Sequence, residues 1–140
     1  VPWDASVDHH DHIAWLKDTI AELKRRTKRR IVFRPHPLAK LPPFDGCEYS
    51  TDALPSDLVD AHAVFTFNSN SGVEATILGV PTICTDEGSM IWEIASHTVN
   101  EAENPMMLDR TQWLNDLAYK QWALSEMREG LAWKHLSRIV

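Results

Sequence analysis

Apolar residues near the start of the chain recur at helical spacing and then give way to a short continuous run. The recurring positions, three or four residues apart, are Ile13, Leu16, Ile20 and Leu23. This spacing predicts an amphipathic helix over residues 12–29. The apolar run at residues 31–34 predicts a strand that stops at Pro35, and the prolines that follow predict a loop through residue 46.

The middle of the chain holds two further apolar runs separated by a polar turn. Residues 63–67 and 80–84 are apolar or β-branched without polar alternation, a pattern typical of strands covered on both faces. Between them, residues 68–72 predict a turn, and residues 73–78 predict a helix that ends at Gly79, because glycine is favoured at helix C-termini.

Shorter segments and two final helices complete the pattern. A second strand is expected at residues 48–51, short helices at 55–60 and 89–96, and longer helices at 110–121 and 124–137. Short continuous strands that alternate with helices predict a parallel sheet covered by helices. The predicted fold class is therefore α/β, in a single domain that spans residues 1–140 and ends in helices.

Length and composition agree with one globular domain. The 140 residues are 44% hydrophobic and 24% charged, and a chain of this size buries roughly 68% of its unfolded surface. Its apolar runs are far shorter than the roughly 20 residues of a membrane span. Two cysteines are too few for a disulfide framework, which favours a reducing compartment, so the expected location is the cytoplasm.

Charge is distributed unevenly. The net charge is −6, yet residues 24–30 hold six of the 14 basic residues, which leaves 8 basic against 20 acidic residues elsewhere. Cations at a helix C-terminus offset its exposed carbonyl groups, so one interpretation is a solvated helix end. The alternative is a patch that attracts a polyanionic acceptor, a polysaccharide in preference to DNA. No aromatic residue interrupts the run, which disfavours base stacking.

Polar residues follow the predicted strand at 63–67 and lead into a helix. A helix N-terminus offers unpaired amides and a partial positive charge, which suit a phosphate group. Ser69, Asn70 and Ser71 add side-chain donors, and Gly72 would let an anion approach the backbone. Glu74 would either form a capping box with Ser71 or accept hydrogen bonds from a sugar diol. The alternative is that a serine only caps the helix.

A second polar group follows the strand at residues 31–34. In the run Arg34-Pro35-His36-Pro37, two prolines hold an arginine and a histidine in a stiff loop. Arginine presents a planar fork to phosphate oxygens, and histidine donates a hydrogen bond or a proton. The pair therefore suits a diphosphate. The alternative is that Arg34 pairs with an acidic neighbour and that His36 is a solvated loop residue.

Together these segments resemble a known family. The core S-x-S-G-V-E-A-x-x-x-G-V-P within residues 63–84, preceded by Arg34-Pro35-His36-Pro37, is similar to the donor-binding half of GT-B glycosyltransferases, in the capsular-polysaccharide and Kdo-transferase-like branch. The resemblance covers about residues 31–86, less than half of the chain. Sugar-nucleotide 2-epimerases of the same architecture carry a similar core.

The resemblance implies a Rossmann-like parallel sheet flanked by helices, forming one half of a GT-B fold. It also implies a UDP- or CMP-linked sugar donor, no metal and no other cofactor, and an N-terminal Rossmann-like half of the same enzyme that holds the acceptor site. This piece alone would then be inactive. The alternatives are a 2-epimerase and a non-catalytic nucleotide-binding or scaffold domain.

The resemblance also assigns roles to individual residues. Arg34 and His36 would face the phosphate or the transferred sugar as the catalytic pair. The phosphate-binding turn would be Ser69, Asn70, Ser71 and Gly72, and Glu74 would bind the ribose hydroxyls. Weaker matches place Thr51, Asp52 and Leu54 at the base, and Asp86 and Glu87 at the donor sugar.

Histidine, cysteine and tryptophan residues are three further candidates for functional sites. The run of residues 8–12, Asp-His-His-Asp-His, holds metal-ligand types, but it precedes a helix and no matching cluster follows, so a polar lead-in with a capping Asp8 or Asp11 is expected. Cys47 and Cys84 lack an evident activating base. The six tryptophans are expected in core packing or in contact with the other half.

Overall fold

The structure is a computed structural model that describes residues 12–36, 41 and 43–138. The chain divides into two compact units, Val1–Leu108 and Asp109–Val140. Each unit is described by itself.

The first unit begins with helix α1, His12–Arg26. Its buried face includes Ile20 and Leu23, as the apolar spacing predicts. The helix ends three residues before the predicted boundary. Its last turn carries Lys24, Arg25 and Arg26, whose positive charges interact favourably with the partial negative charge of the helix C-terminus.

Two short strands follow α1. Strand β1, Val32–Phe33, pairs in parallel with β2, Glu48–Tyr49. Phe33 packs edge-on against Phe44 and Tyr49, with ring centroids 5.3 and 5.2 Å apart. The contact with Phe33 holds Phe44, which precedes β2, against the strand pair.

The centre of the first unit is a strand–helix–strand motif. Strand β3, Val64–Thr66, leads into helix α3, Asn70–Leu78, and then into β4, Thr82–Cys84, which is parallel to β3. All three residues of β4 are buried. Ser96 pairs with the other side of β4, accepting from the Cys84 amide at 2.8 Å and donating to the Thr82 carbonyl at 3.0 Å.

Short elements connect these strands. Helix α2, Leu54–Leu58, stands where a short helix is predicted, and it contacts α3. The helix predicted at residues 89–96 is wrong in extent: only Trp92–Ile94 forms a single 3-10 turn. Its end cannot be helical because the Ser96 backbone is bonded to β4. A second 3-10 turn, Val99–Glu101, contacts α1.

The second unit contains helices α4, α5 and α6, which span Thr111–Lys120, Leu124–Arg128 and Leu131–Leu136. The single helix predicted over residues 124–137 is wrong because Gly130 interrupts it with a φ of 76°. That left-handed conformation ends one helix and starts the next. None of the three helices buries a residue within the part of the chain described.

The predicted α/β class is confirmed by this arrangement. The described strands form two separate parallel pairs, β1–β2 and β3–β4, of two or three residues each. A continuous Rossmann-like sheet therefore stays a prediction. Across the described ranges, no helix combines the length and the apolar character needed to cross a bilayer.

Candidate functional site

Helix α3 begins earlier than the sequence predicts. Ser69 is the N-cap residue, with extended backbone, and its hydroxyl accepts a hydrogen bond from the Ser71 amide at 3.2 Å. Asn70, Ser71 and Gly72 therefore form the first turn of the helix instead of a preceding turn. The predicted start at residue 73 is wrong, since Ser69 supplies the cap three residues upstream.

The predicted capping box is also wrong. A capping box joins the N-cap residue to the third helical residue, and those positions are Ser69 and Gly72. Glu74 is the fifth residue of α3 and is exposed. The capping interpretation of Glu74 is therefore excluded, which leaves its carboxylate for another role.

Internal acceptors satisfy several amides at the start of α3. The Ser69 amide donates to Thr66 Oγ1 at 2.9 Å, the Ser71 amide to Ser69 Oγ, and the Gly72 amide to the Ser69 carbonyl at 3.0 Å. These bonds supply partners for N–H groups that a helix end leaves unpaired. An anion at this point must compete with the cap.

Gly72 lies where α3 approaches β3 closely. A Cβ atom at Gly72 would stand 2.8 Å from Ile91 Cδ1 and 2.9 Å from Thr66 Cγ2, and all three residues are buried. The small size of this residue is therefore needed for packing inside the unit. The predicted reason for glycine here, access for an anion to the backbone, is corrected accordingly.

Gly72→Ala is expected to lower the free energy of unfolding by about 1–2 kcal/mol, because overpacking costs about 1–3 kcal/mol and alanine recovers up to about 1 kcal/mol in a helix. Urea denaturation measures the change. Gly88→Ala is the matched control, since its Cβ would meet only the Asp86 carboxylate, with the nearest atom, Oδ1, at 3.4 Å. Equal costs at the two positions would contradict the packing role.

The loops after β3 and β4 are bonded to each other. Asn68 Nδ2 donates to Asp86 Oδ2 at 2.8 Å, and Asp86 Oδ1 accepts from the Gly88 amide at 3.0 Å. The Cys84 thiol donates to the Phe67 carbonyl at 2.9 Å. Asp86, predicted near the donor sugar, thus lies beside the turn that precedes α3, and the neighbouring Glu87 is exposed.

The start of α1 reaches the same edge of β3 and β4. Trp15 Nε1 donates to Thr85 Oγ1 at 3.0 Å, and its ring lies 5.5 Å from that of Phe67. His12, which is buried, packs edge-on against Phe67 at 5.0 Å. The sequence predicted packing for the tryptophans, but no local pattern indicated that Trp15 and His12 contact Phe67, which is more than 50 residues away.

Arg34 belongs to a second polar cluster. Its Nη1 donates to Asp57 Oδ2 at 3.0 Å and to the Asp52 carbonyl. Ser50 Oγ donates to Asp57 Oδ1 at 2.7 Å, and the Asp52 amide donates to Ser50 Oγ at 3.2 Å. The alternative in which Arg34 pairs with an acidic neighbour is confirmed. Two members of this cluster, Ser50 and Asp57, were not identified from the sequence, and the latter lies in the first turn of α2.

The structure joins some predicted site residues and leaves others apart. Asp52 touches Arg34 through its backbone carbonyl, whereas the side chains of Thr51 and Asp52 are exposed, and Leu54 begins α2. His36 is exposed. Among the described residues, no hydrogen bond or ion pair joins the Arg34 side chain to the start of α3. The link runs through α2, which carries Asp57 and contacts α3.

Both cysteines donate hydrogen bonds to backbone carbonyls. Burial raises the pKa of the Cys47 thiol, with only partial opposition from Lys24. Its thiol donates to the Phe44 carbonyl at 3.4 Å. Cys84 is fully buried and hydrogen-bonded to backbone carbonyls. Both thiols therefore act as structural donors.

Only the last residue of the histidine-rich run, His12, is among the described residues. Residues 8–11 lie outside the described residues, and His12 is the first residue of α1. In the ranges that are described, no group of three His, Cys, Asp or Glu side chains is placed to hold a metal ion.

Comparisons with known proteins add no relative. No family model, no curated protein and no solved structure matches the chain. Two groups of polar residues remain as functional candidates: the start of α3 with Asp86, and Arg34 with Asp57.

Proposed function

We propose that this chain binds a nucleotide sugar at the carboxyl edge of β3 and β4, as the donor-binding domain of a metal-independent GT-B glycosyltransferase. The observation that carries the proposal is the parallel β3–α3–β4 motif, whose two strand ends are joined by the hydrogen bond from Asn68 to Asp86. Ligands of parallel α/β units bind outside the carboxyl ends of the strands.

The start of α3 supplies the phosphate contacts in this proposal. Ser69 and Asn70 are exposed and Ser71 is half-buried, and the helix dipole places partial positive charge there. The Ser71 amide donates to the neutral Ser69 hydroxyl at 3.2 Å, the upper end of the usual N–H···O range. In the proposal a charged phosphate oxygen replaces that hydroxyl. Binding then exchanges a neutral acceptor for an anionic one, which forms a stronger hydrogen bond.

Other predicted residues keep their proposed roles around this centre. Glu74 is exposed, so its carboxylate can accept from the ribose hydroxyls. Asp86 and Glu87 are assigned to the donor sugar. Thr51, Asp52 and Leu54 are assigned to the base, a role supported only by their position after β2.

Arg34 has a double role in the proposal. Both of its hydrogen bonds leave from Nη1, and a guanidinium carries five N–H donors. Nη2 and Nε can therefore bind a phosphate while Asp57 holds the side chain in place. His36 is proposed to join Arg34 at the phosphate or the transferred sugar.

The complete enzyme in this proposal needs a second Rossmann-like half, which holds the acceptor. Departure of the nucleotide would be stabilised by amides, Arg34 and the α3 dipole, since preorganised donors stabilise developing negative charge. No metal is needed for that role. The proposed location is the cytoplasm, where nucleotide sugars would be met under reducing conditions.

Glu74→Ala is expected to weaken nucleotide binding by about 1–3 kcal/mol, the usual value for hydrogen bonds to a charged group. Because Glu74 is exposed and does not cap α3, thermal stability should change little. Isothermal titration with UDP, CMP and their sugars measures the affinity. Asp60→Ala, which removes an exposed carboxylate after α2, is the matched control.

Two outcomes would contradict the proposal. Unchanged affinity in Glu74→Ala would exclude the ribose role, and absence of binding to every nucleotide would exclude the donor site as a whole. The second outcome would favour a non-catalytic scaffold domain. That candidate is supported by the internal cap of α3 and by the ion pair of Arg34 with Asp57.

A further inference from the structure

The end of α1 and the segment after it form a basic patch, defined as the six cations within residues 24–30 together with Glu103. Glu22 pairs with Arg25 and Arg26. Glu103 pairs with Arg29 at 3.4 Å, and Glu48 pairs with Arg30 at 3.5 Å. Asp45 lies beside Lys24. The six cations outnumber these four carboxylates, so the patch keeps a net positive charge.

A surface depression lies within the basic patch. It has a volume of about 480 Å³ and is lined by Arg26, Lys28, Arg29 and Glu103. All four lining residues are charged, and three of them are cations. The lining of this open surface depression is therefore mostly positive.

The ion pairs of the patch leave its cations available. Arg25 and Arg30 are 72% and 71% exposed, and the side chain of Arg29 is 52% exposed. Exposed ion pairs are weak because water screens them. A ligand with several acidic groups can therefore take over these cations at little cost.

Glu103 limits which anions fit. Hydrogen bonds from Thr27 and the nearby Arg29 lower the pKa of its carboxyl, so it is ionised at neutral pH. An ionised carboxylate repels phosphodiester oxygens but accepts hydrogen bonds from hydroxyl groups. A ligand that carries both acidic groups and hydroxyl donors is complementary to this mixed lining.

We propose that the basic patch binds a carboxylate-bearing polysaccharide, with one acidic sugar unit seated in the depression. The cations bind its carboxylates, and Glu103 accepts from its hydroxyls. Nucleic acid is the less suitable polyanion because no aromatic side chain lines the depression.

The basic patch is distinct from the proposed nucleotide site. Trp15 holds the start of α1 at the carboxyl edge of β3 and β4, and Arg26 lies eleven residues further along the helix. At 1.5 Å per residue the two are roughly 16 Å apart along the axis. The patch would hold the polymer away from the donor, so its binding is testable without any nucleotide.

The first test uses a galacturonate oligosaccharide, titrated into the whole chain at low salt. A neutral maltooligosaccharide of equal length is expected not to bind, and added salt should weaken galacturonate binding. Lys28→Ala should weaken it about threefold or more, since it removes a cation from the depression. Lys120→Ala, an exposed lysine of α4, is the matched control and should change affinity by less than about 1.5-fold.

The second test separates polysaccharide from nucleic acid. Glu103→Gln should lower the ratio of galacturonate affinity to the affinity for a short DNA duplex. The charge that it removes repels the anionic groups of both ligands, but it accepts hydrogen bonds only from the sugar hydroxyls. A constant or higher ratio would overturn the proposal. So would equal binding of the neutral sugar, tighter binding of DNA by the unmodified chain, or an equal effect of Lys28→Ala and Lys120→Ala. Thermal melting of each variant confirms that it is folded, and nucleotide titration separately tests the donor site.

Discussion

Ile83→Ala is expected to lower the free energy of unfolding of the first unit by about 2–5 kcal/mol, the usual cost of truncating a buried isoleucine. Ile83 is fully buried at the centre of β4. It pairs with Phe65 of β3 on one side and with Ser96 on the other.

Chemical denaturation followed by tryptophan fluorescence measures this change. Ile77→Ala is the matched control, because Ile77 lies in α3 and its side chain is 44% exposed. It should cost less than about 1 kcal/mol, since less area leaves water on folding and alanine favours helix. A cost at Ile83 no larger than at Ile77 would show that β4 is not the centre of the core.

Asp57→Ala is expected to have the second large effect: it should lower the free energy of unfolding by about 2–3 kcal/mol. Its carboxylate receives the Arg34 guanidinium and the Ser50 hydroxyl. The side chains of Arg34 and Asp57 are 28% and 18% exposed, and Ser50 is buried. Removal of the acceptor leaves a partly buried cation and a buried hydroxyl without their partner, which costs more than the bonds themselves contribute.

A double-mutant cycle with Arg34→Ala isolates the pair. If the ion pair holds the cluster together, the two losses will be less than additive by about 1 kcal/mol or more, because removing both partners leaves no unpaired charge. Strict additivity would contradict this arrangement.

The Arg34→Ala variant also tests the phosphate contact. Loss of UDP affinity with unchanged uridine affinity would locate Arg34 at the phosphate, whereas equal losses of the two affinities would contradict phosphate contact.

Local patterns were sufficient for much of the fold. The apolar runs around Phe65 and Ile83 predicted β3 and β4, and Gly79 marked the end of α3, because these signals depend on neighbouring residues. The start of α3 was misplaced because it depends on the capping Ser69, whose amide is held by Thr66 Oγ1. This bond spans only three residues, but a hydrogen bond between an amide and a side-chain hydroxyl leaves no hydrophobic periodicity in the sequence.

The partners within the candidate sites were harder to predict. Asp57 is 23 residues beyond Arg34, and nothing in the local pattern distinguishes it from other acidic residues near a helix start. The role of Gly72 likewise depends on Ile91, which is distant in sequence. Long-range packing decides such roles, so residue types predicted two polar clusters but not the bonds inside them.

Thr66 narrows the range of sequences that this motif can accept. Its hydroxyl accepts from the amide of Ser69, while its methyl group occupies the space that a side chain at Gly72 would need. Serine would keep the oxygen and lose the methyl, and valine would do the reverse. Neither serine nor valine can therefore replace Thr66 without loss, because this buried position uses the hydroxyl and the methyl group together.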